Sequence, residues 1–403
     1  MSSPDVSVVV VAHDVAAYLG PCLDSLADQT LRGSIEVVVV VGDRDDETGK
    51  VAAATVAGRH GWKVVEGDPA AGPGGARNVG VRHATGTWLT FLDGDDLLPR
   101  RAYERLLRSA RATGSDLVAG AVRRWDGESL TTSQLHRLSL SEPLSRGHIT
   151  RDTRLVYDST VWNKVIRRTT WDAAGITFPE GVVYEDMPVA FAMHLAATST
   201  DVVADPVYVW RRRTGPDRSI TQRLDEHDSL EQRMASLRTI DDLAAASGSQ
   251  TLRDAHDAKF VDIDLRRMVT FLPAADERYV VRFLELTRSF LEHVPDRVLS
   301  GRDPLRRLVV DSVLSGDTET LLDLAVARNV EDRPDGFGRL ALLGPDMRVQ
   351  AKMASHGLLT GLPWVRSTAN RVAYHLLPGK VGDQAAALRY GHTRADAVDV
   401  LSI

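Results

Sequence analysis

Thr87-Trp88-Leu89-Thr90-Phe91-Leu92-Asp93-Gly94-Asp95-Asp96 is the stretch on which the reading of this chain turns. An apolar, strand-forming run passes directly into three carboxylates packed around one glycine. Like charges this close repel and raise one another's pKa, so folding alone gives no reason to gather them. A divalent cation removes the conflict, because hard cations prefer oxygen ligands. In open α/β sheets, ligands bind just beyond the carboxyl ends of the strands. The stretch therefore predicts a strand end carrying metal or phosphate chemistry. The plainer alternative is an acidic turn, with Asp96 capping the next helix.

Outward from this point, strand and helix signals alternate. Val6-Ser7-Val8-Val9-Val10-Val11 and Ile35 to Val41 are β-branched runs of the kind buried on both faces. Pro21 suits the first turn of a helix whose apolar face is Cys22, Leu23 and Leu26. Further helices are expected over about 48–60, 76–83 and 99–112, and further strands at Trp62 to Val65, Thr87 to Leu92 and Asp116 to Ala119. Ala70 to Gly75 reads as a loop. Strands separated by helices at this spacing predict an α/β fold with a doubly wound, mostly parallel sheet. After about Thr221 the pattern becomes helical, with Leu230, Met234, Leu237, Ile240 and Leu243 on one face and Gly248 as a stop. Phe260 to Leu265, Tyr279 to Leu291 and Leu305 to Leu314 extend it. The expected division is a sheet domain over 1–224, a helical region over 225–330 and a tail over 331–403. The tail has an apolar segment around Leu358 to Val365 and could dock, assemble or touch a membrane surface.

Composition bounds the function. With 403 residues, 43% hydrophobic and 26% charged, the chain can bury sizeable cores. A net charge of −6 gives no support for nucleic-acid binding. Cys22 is the only cysteine, which excludes an intrachain disulfide and a cysteine-rich zinc site. The 12 histidines show no metal-ligand spacing. No apolar run approaches the roughly 20 residues needed to span a bilayer. The expected location is the cytoplasm, with the inner face of the membrane as a variant.

Four further motifs carry chemistry. In Gly74-Gly75-Ala76-Arg77-Asn78, glycines would let the backbone approach a ligand and Arg77 could pair with phosphate or orient an acid. An ordinary loop with an exposed arginine is the alternative. Glu185-Asp186, after Tyr184, is a candidate general base or an acid pair favoured at a helix start. Trp210-Arg211-Arg212-Arg213 ends the short strand Val207 to Trp210 and reads as a phosphate clamp, which Arg218 to Thr221 could extend, or as a solvated cationic edge. Trp162-Asn163-Lys164 is the remaining unusual cluster.

Taken in order, these pieces resemble the GT-A inverting glycosyltransferases called family 2. The resemblance is carried by Val6 to Asp14, Tyr18-Leu19, Cys22 to Leu26, Gln29-Thr30, Ile35 to Val40, Gly75 to Asn78, Phe91 to Asp96, Trp162 to Lys164 and Tyr184 to Asp186. It covers roughly residues 5 to 222 and looks most like enzymes acting on teichoic acids, capsules and other bacterial surface polysaccharides. It implies that Ala12, His13 and Asp14 face the nucleotide base and ribose, and that Arg77 lies near the diphosphate. Asp93, Gly94 and Asp95 match the Asp-x-Asp element, with Asp95 and then Asp93 as ligands of Mn²⁺ or Mg²⁺. Asp186 matches the catalytic base. Arg211, Arg212 and Arg213 lie where the family closes over the diphosphate. Glu185, Trp162, Asn163 and Lys164 contact the acceptor or support the site.

Two positions depart from the family pattern. Val41-Gly42-Asp43-Arg44-Asp45-Asp46 replaces an Asp-Asp-Gly-Ser-like turn that recognises uracil, leaving Asp43, or Asp45 by a small shift, to take that place. Position 13 is histidine. The Gln-x-x-Arg-Trp element of processive polymerases is not evident, which favours addition of single sugars. The implied activity is metal-dependent transfer from a nucleoside-diphosphate sugar, UDP-linked, to a hydroxyl of a polysaccharide, teichoic-acid-like or lipid-linked glycan. Peripheral membrane contact and homo-oligomerisation are open. The alternatives are a nucleotide-sugar or glycan-binding module without catalysis and, less favoured, a nucleotidyltransferase.

Overall fold

A computed structural model describes residues 3–213, 226–300, 302 and 304–331. They fall into two compact units, one running to Lys259 and the other starting at Phe260. The cationic extension at Arg218 to Thr221 and the tail with Leu358 to Val365 lie outside the described residues.

The first unit is built on nine strands. β1 (Val6–Ala12), β2 (Ile35–Val41), β3 (Trp62–Glu66) and β4 (Trp88–Asp93) are followed by β5 (Leu117–Trp125), β6 (Leu130–Thr131), β7 (Leu144–Gly147), β8 (Lys164–Arg167) and β9 (Thr200–Arg211). Their order is β3-β2-β1-β4-β8-β5-β9-β7, with β6 on β5. β1 pairs in parallel with both β2 and β4, and β2 with β3. The chain thus runs outward from β1 to β3, then returns to lay β4 on the other side of β1. Such a reversal leaves a crevice beyond the strands' carboxyl ends, and Asp93 is the last residue of β4.

Valine explains the centre of this sheet. Val8, Val9, Val10 and Val37 to Val41 are buried on both faces, as strands covered by helices on both sides must be. The cover includes α1 (Ala16–Ala27), α2 (Glu47–Val56), α3 (Gly72–His83) and α4 (Ala102–Thr113). Cys22, Leu23 and Leu26 form the buried face of α1 as expected. Pro21 is a correction, since it lies in the body of α1 rather than in its first turn.

The sheet is more mixed than the sequence pattern predicts. β8 runs antiparallel between β4 and β5, and β7 runs antiparallel to β9. β8 has four residues, too few to display a period. β9 spans 12 residues rather than the short Val207 to Trp210. Its partner β5 shifts register on both sides of Ala121, and Pro206 interrupts the β-branched run, so its first half gives no clear signal. The chain also forms α5 (Gln134–Leu140), α6 (Arg168–Ala173), α7 (Asp186–Ala196), α8 (His227–Ala246) and α9 (Gln250–Lys259). Helices α8 and α9, read from sequence as the start of the helical region, cluster with the sheet in the first unit, and α8 packs on α7.

The second unit starts with a π-helical segment over Phe260–Leu265, where an ordinary α-helix is the expectation. It continues through α10 (Arg266–Val269), α11 (Glu277–Leu291), α12 (Asp296–Ser300), α13 (Pro304–Ser315) and α14 (Thr318–Glu331). Asp276 caps α11 by accepting the Tyr279 N–H at 2.7 Å. Phe260 stacks on Phe290 with ring centroids 3.9 Å apart. The Asp262 carboxylate takes Arg302 at 2.6 Å and Arg306 at 3.0 Å.

Candidate active site

The acidic cluster sits in the crevice beyond β1 and β4, and each acid has a different environment. Gly94 is required there by close approach. Its N–H donates to the Val11 carbonyl at 2.8 Å, and a Cβ would meet that oxygen at 2.9 Å. Asp93 accepts from Arg77 Nη2 at 2.7 Å. Asp95 accepts from Arg213 Nε at 2.8 Å, and its main-chain carbonyl takes Arg211 Nε at 2.7 Å.

Asp96 corrects an expectation. No helix starts at this residue, and α4 begins only at Ala102. Its buried carboxylate instead accepts from the Tyr208 hydroxyl and from the Arg211 N–H, both at 2.6 Å. Leu97 and Val209 exchange backbone hydrogen bonds at 2.9 and 3.1 Å. Asp96 is thus the tie that fastens the acidic turn to β9. Burial pushes its pKa well up, and Asp95 and Asp93 add to this.

Arg77 links the cluster to the second acidic motif. It is 4% exposed and also pairs with Glu185, while its guanidinium lies 5.5 Å from the centre of the Phe178 ring. Burial alone would lower its pKa, but Asp93, Glu185 and Asp186 outweigh that and raise it. Its helix starts earlier than the sequence suggests. α3 begins at Gly72, so Gly74 and Gly75 lie in the helix rather than in a loop. Gly74 faces the chain and not an open cradle, since a Cβ there would meet the Pro179 carbonyl oxygen at 2.0 Å. Asn78 completes the joint. Its amide donates to Phe178 O and Glu180 Oε1 at 2.9 Å and accepts the Phe178 N–H at 2.9 Å. Its place beside Arg77 in the motif was the only sequence signal for this role.

Asp186 is the first residue of α7, and the turn before it is strained. Tyr184 has φ 64°, a left-handed conformation that costs an L-residue on the order of 1–3 kcal/mol. Asp186 is half-buried. Its carboxyl is pushed up to about 7, by burial first and then by Glu185 and Asp93, against the opposing pull of Arg77 and Lys164. Asp95 is also raised, by burial first and then by Asp93.

Trp162, Asn163 and Lys164 lie beneath this site. Trp162 stacks on Tyr208 at 4.0 Å between centroids, behind the ring that holds Asp96. Asn163 and Lys164 have no exposed surface. Lys164 Nζ lies 3.0 Å from Asp158 Oδ2 and donates to Asn163 Oδ1 at 2.8 Å and to the Thr160 carbonyl. Asn163 donates to Asp158 Oδ1 at 3.0 Å. His194 of α7 meets Asp158 Oδ2 at 3.0 Å. Burial would raise the Asp158 pKa, but Lys164, then His194 and Asn163, hold it well below the carboxylate range. Asp158 and His194 were not singled out from sequence, because isolated residues 36 apart give no local signal.

The remaining expected residues lie at neighbouring strand ends. Ala12 is buried at the end of β1. His13 and Asp14 are largely exposed, 3.5 Å apart, and Asp14 has φ 51°. A Cβ on Gly42 would lie 3.1 Å from His13 Nδ1, so the ring covers the end of β2. Asp43 accepts the Asp45 N–H at 2.8 Å, and Asp46 caps α2 through the Gly49 N–H at 2.6 Å. Tyr18 lies near two arginines, with Arg211 at 5.2 Å and Arg213 at 5.5 Å from its ring centre. Arg212 does not join them. It is exposed, and its N–H donates to Trp125 O at 2.7 Å. Among the described residues, no three acidic, histidine or cysteine side chains converge as a closed metal cage. Two neighbouring carboxylates remain the donor chemistry that fits a hard cation shared with phosphate oxygens. No helix among the described residues is long and apolar enough to cross a membrane.

Comparison with known proteins fits this geometry. Residues 7–172 match the model of Glycosyl transferase family 2. The uncharacterised glycosyltransferase EpsJ of Bacillus subtilis is 27% identical over 235 residues, covering 56% of this chain and 66% of that protein. A PGL/p-HBAD biosynthesis glycosyltransferase of Mycobacterium tuberculosis is 39% identical over 137 residues, covering 32% of this chain and 52% of its own. The chain thus spans only part of these relatives' length. The structure of S. aureus TarS 1–349 with UDP-GlcNAc superposes with a TM-score of 0.64 over 82% of this chain and 93% of that one. At 20% identity, that likeness shows a shared fold. The segment from β1 into α6 thus matches Glycosyl transferase family 2, and the fold around it is the one seen in TarS.

Proposed function

We propose that the chain transfers a sugar from a UDP-linked donor to a hydroxyl of a bacterial surface glycan, with inversion, and that Asp186 is the base. The observation that carries this reading is the Asp186 carboxyl, half-buried at a helix start and pushed up to about 7. A base with a pKa near the working pH combines a usable ionised fraction with a strong pull on the proton. Asp186 takes the proton of the acceptor hydroxyl as that oxygen attacks the anomeric carbon. The bond to the diphosphate breaks, and the nucleoside diphosphate leaves with its electron pair. Arg77 holds Glu185 and Asp93 in register with the base. Arg211 and Arg213, both bonded to Asp95, are read as the cations that pair with the leaving diphosphate. Asp95 and Asp93 would hold Mn²⁺ or Mg²⁺, which when bound offsets negative charge on the diphosphate.

His13, Asp14 and Asp43, at the ends of β1 and β2, are read as the wall for base and ribose. The full burial of Asn163 and Lys164 favours support over acceptor contact. TarS with UDP-GlcNAc makes that sugar nucleotide the first probe. A thermal-shift series with UDP-GlcNAc and other sugar nucleotides, each with Mn²⁺, should raise the melting temperature for the true donor. Asp95→Ala should abolish the manganese-dependent part of that shift. Equal donor affinity in Asp95→Ala across a manganese titration would refute the metal assignment. Pyrophosphate rather than nucleoside diphosphate as product would revive nucleotidyl transfer, and binding without turnover would favour the inactive module.

A further inference from the structure

We infer that Gln232 and Ser236 of α8 are positioning residues for Asp186, holding the left-handed turn that aims this acid into the site. The inference rests on the proposed reading of Asp186 as the base. Positions 229, 232, 233 and 236 lie on one face of α8, by the i, i+3, i+4, i+7 spacing of a helix. All four meet the Val183–Tyr184 stretch. Gln232 Oε1 accepts the Val183 N–H at 2.6 Å. Ser236 Oγ donates to the Tyr184 carbonyl at 3.1 Å. The Tyr184 hydroxyl meets Ser229 Oγ at 2.8 Å, and the Arg233 guanidinium lies 5.2 Å from the Tyr184 ring centre.

These contacts explain how a tyrosine stays in a backbone region it would otherwise leave. One side chain fixes the amide before the turn, another fixes the carbonyl within it, and two fix the ring. The Tyr184 carbonyl also accepts the Met187 N–H at 3.3 Å, so the turn passes directly into the first turn of α7. Glu185 is tied to Arg77 on the sheet side. Asp186 therefore sits between two anchors, Arg77 from α3 and the polar face of α8. Loss of the α8 anchor lets Tyr184 relax toward negative φ, which rotates the peptide carrying the acid pair.

The test uses the full chain. Gln232→Leu removes the acceptor and keeps a side chain of comparable bulk, whereas Gln232→Glu keeps an acceptor oxygen. Hydrogen exchange of the 183–187 amides should speed up in Gln232→Leu, with the β1 and β4 amides unchanged, and Gln232→Glu should restore protection. Hydrolysis of UDP-GlcNAc with Mn²⁺ should show kcat lowered by roughly 10- to 100-fold, the cost of a small misplacement, with KM within about twofold. Ser236→Ala should shift both readouts in the same sense and remains informative if Gln232→Leu does not fold. Unchanged exchange at 183–187 in the folded variants overturns the inference, as does a loss confined to KM. Asp186→Asn, measured alongside, separates the two readings: full turnover there removes the base, while the exchange result still decides whether α8 holds the turn.

Discussion

Asp186→Asn should make the protein more stable at alkaline pH while removing turnover. The carboxyl is raised from an ordinary 3.8 to about 7, so the folded state binds its proton more tightly than the unfolded chain. The sign follows from linkage. Stability is full below about pH 4, falls as the unfolded chain ionises first, and stops falling once the folded-state carboxyl ionises near pH 7. At about 1.36 kcal/mol per pKa unit, the ionised acid costs about 4 kcal/mol above pH 7. Because Asp186 keeps some solvent access, this is an upper limit. Asparagine cannot ionise and escapes the cost. At roughly 2–4 °C per kcal/mol for a domain of this class, the variant should melt on the order of 10 °C higher at pH 8. The gain should be less than half as large at pH 5. Turnover should fall by about 10²–10⁴-fold, the usual contribution of a general base, with UDP binding retained. Melting and urea curves of both proteins at pH 5 and pH 8 provide the measurement. An increment that is absent at pH 8, or equal at both pH values, refutes the argument that Asp186 is held in an unfavourable ionised state.

Arg77→Met should move the rising limb of the pH–turnover profile to higher pH, because Arg77 lowers the Asp186 pKa; an unmoved midpoint would show that the guanidinium does not act on the base. Asp158→Asn leaves the buried Lys164 ammonium without its carboxylate, which should cost about 3–5 kcal/mol in urea unfolding, whereas Lys164→Met with Asp158→Leu should recover most of that. A single-variant cost well under 1 kcal/mol would mean that water reaches the pair. Gly74→Ala should weaken the joint between α3 and the 179–181 loop, since its Cβ would lie 2.0 Å from the Pro179 carbonyl oxygen. A melting temperature and UDP-GlcNAc turnover equal to those of the unsubstituted chain would disprove that contact.

Sequence alone was decisive where physics acts locally. The runs Val8 to Val11 in β1 and Val37 to Val41 in β2 have the composition of strands covered on both faces. Three acids at a strand end call for partners, and one of them, Asp96, finds its partners in Tyr208 and the Arg211 N–H of β9. Those two patterns predict a doubly wound α/β unit, as found, with the acidic cluster at the end of β4. Periodicity over Leu230 to Leu243 and Tyr279 to Leu291 was enough for two of the helices. It did not reveal β8, because four residues hold no period, or the first half of β9, where Pro206 breaks the run.

What only the tertiary structure decided is which charges meet. Arg77 and Glu185 are 108 residues apart, and Tyr208 and Asp96 are 112 apart. No local pattern encodes such pairs, because they arise when β4, β9, α3 and α7 are brought to one crevice. Burial in that crevice separates acids that look alike in the sequence. Asp93 pairs with a buried arginine, Asp95 with Arg213, Asp96 fastens β9, and Asp186 is held near neutrality. The residue types present at the site follow from the chain itself. Their protonation and division of labour follow from desolvation and long-range pairing, which exist only once the chain has folded.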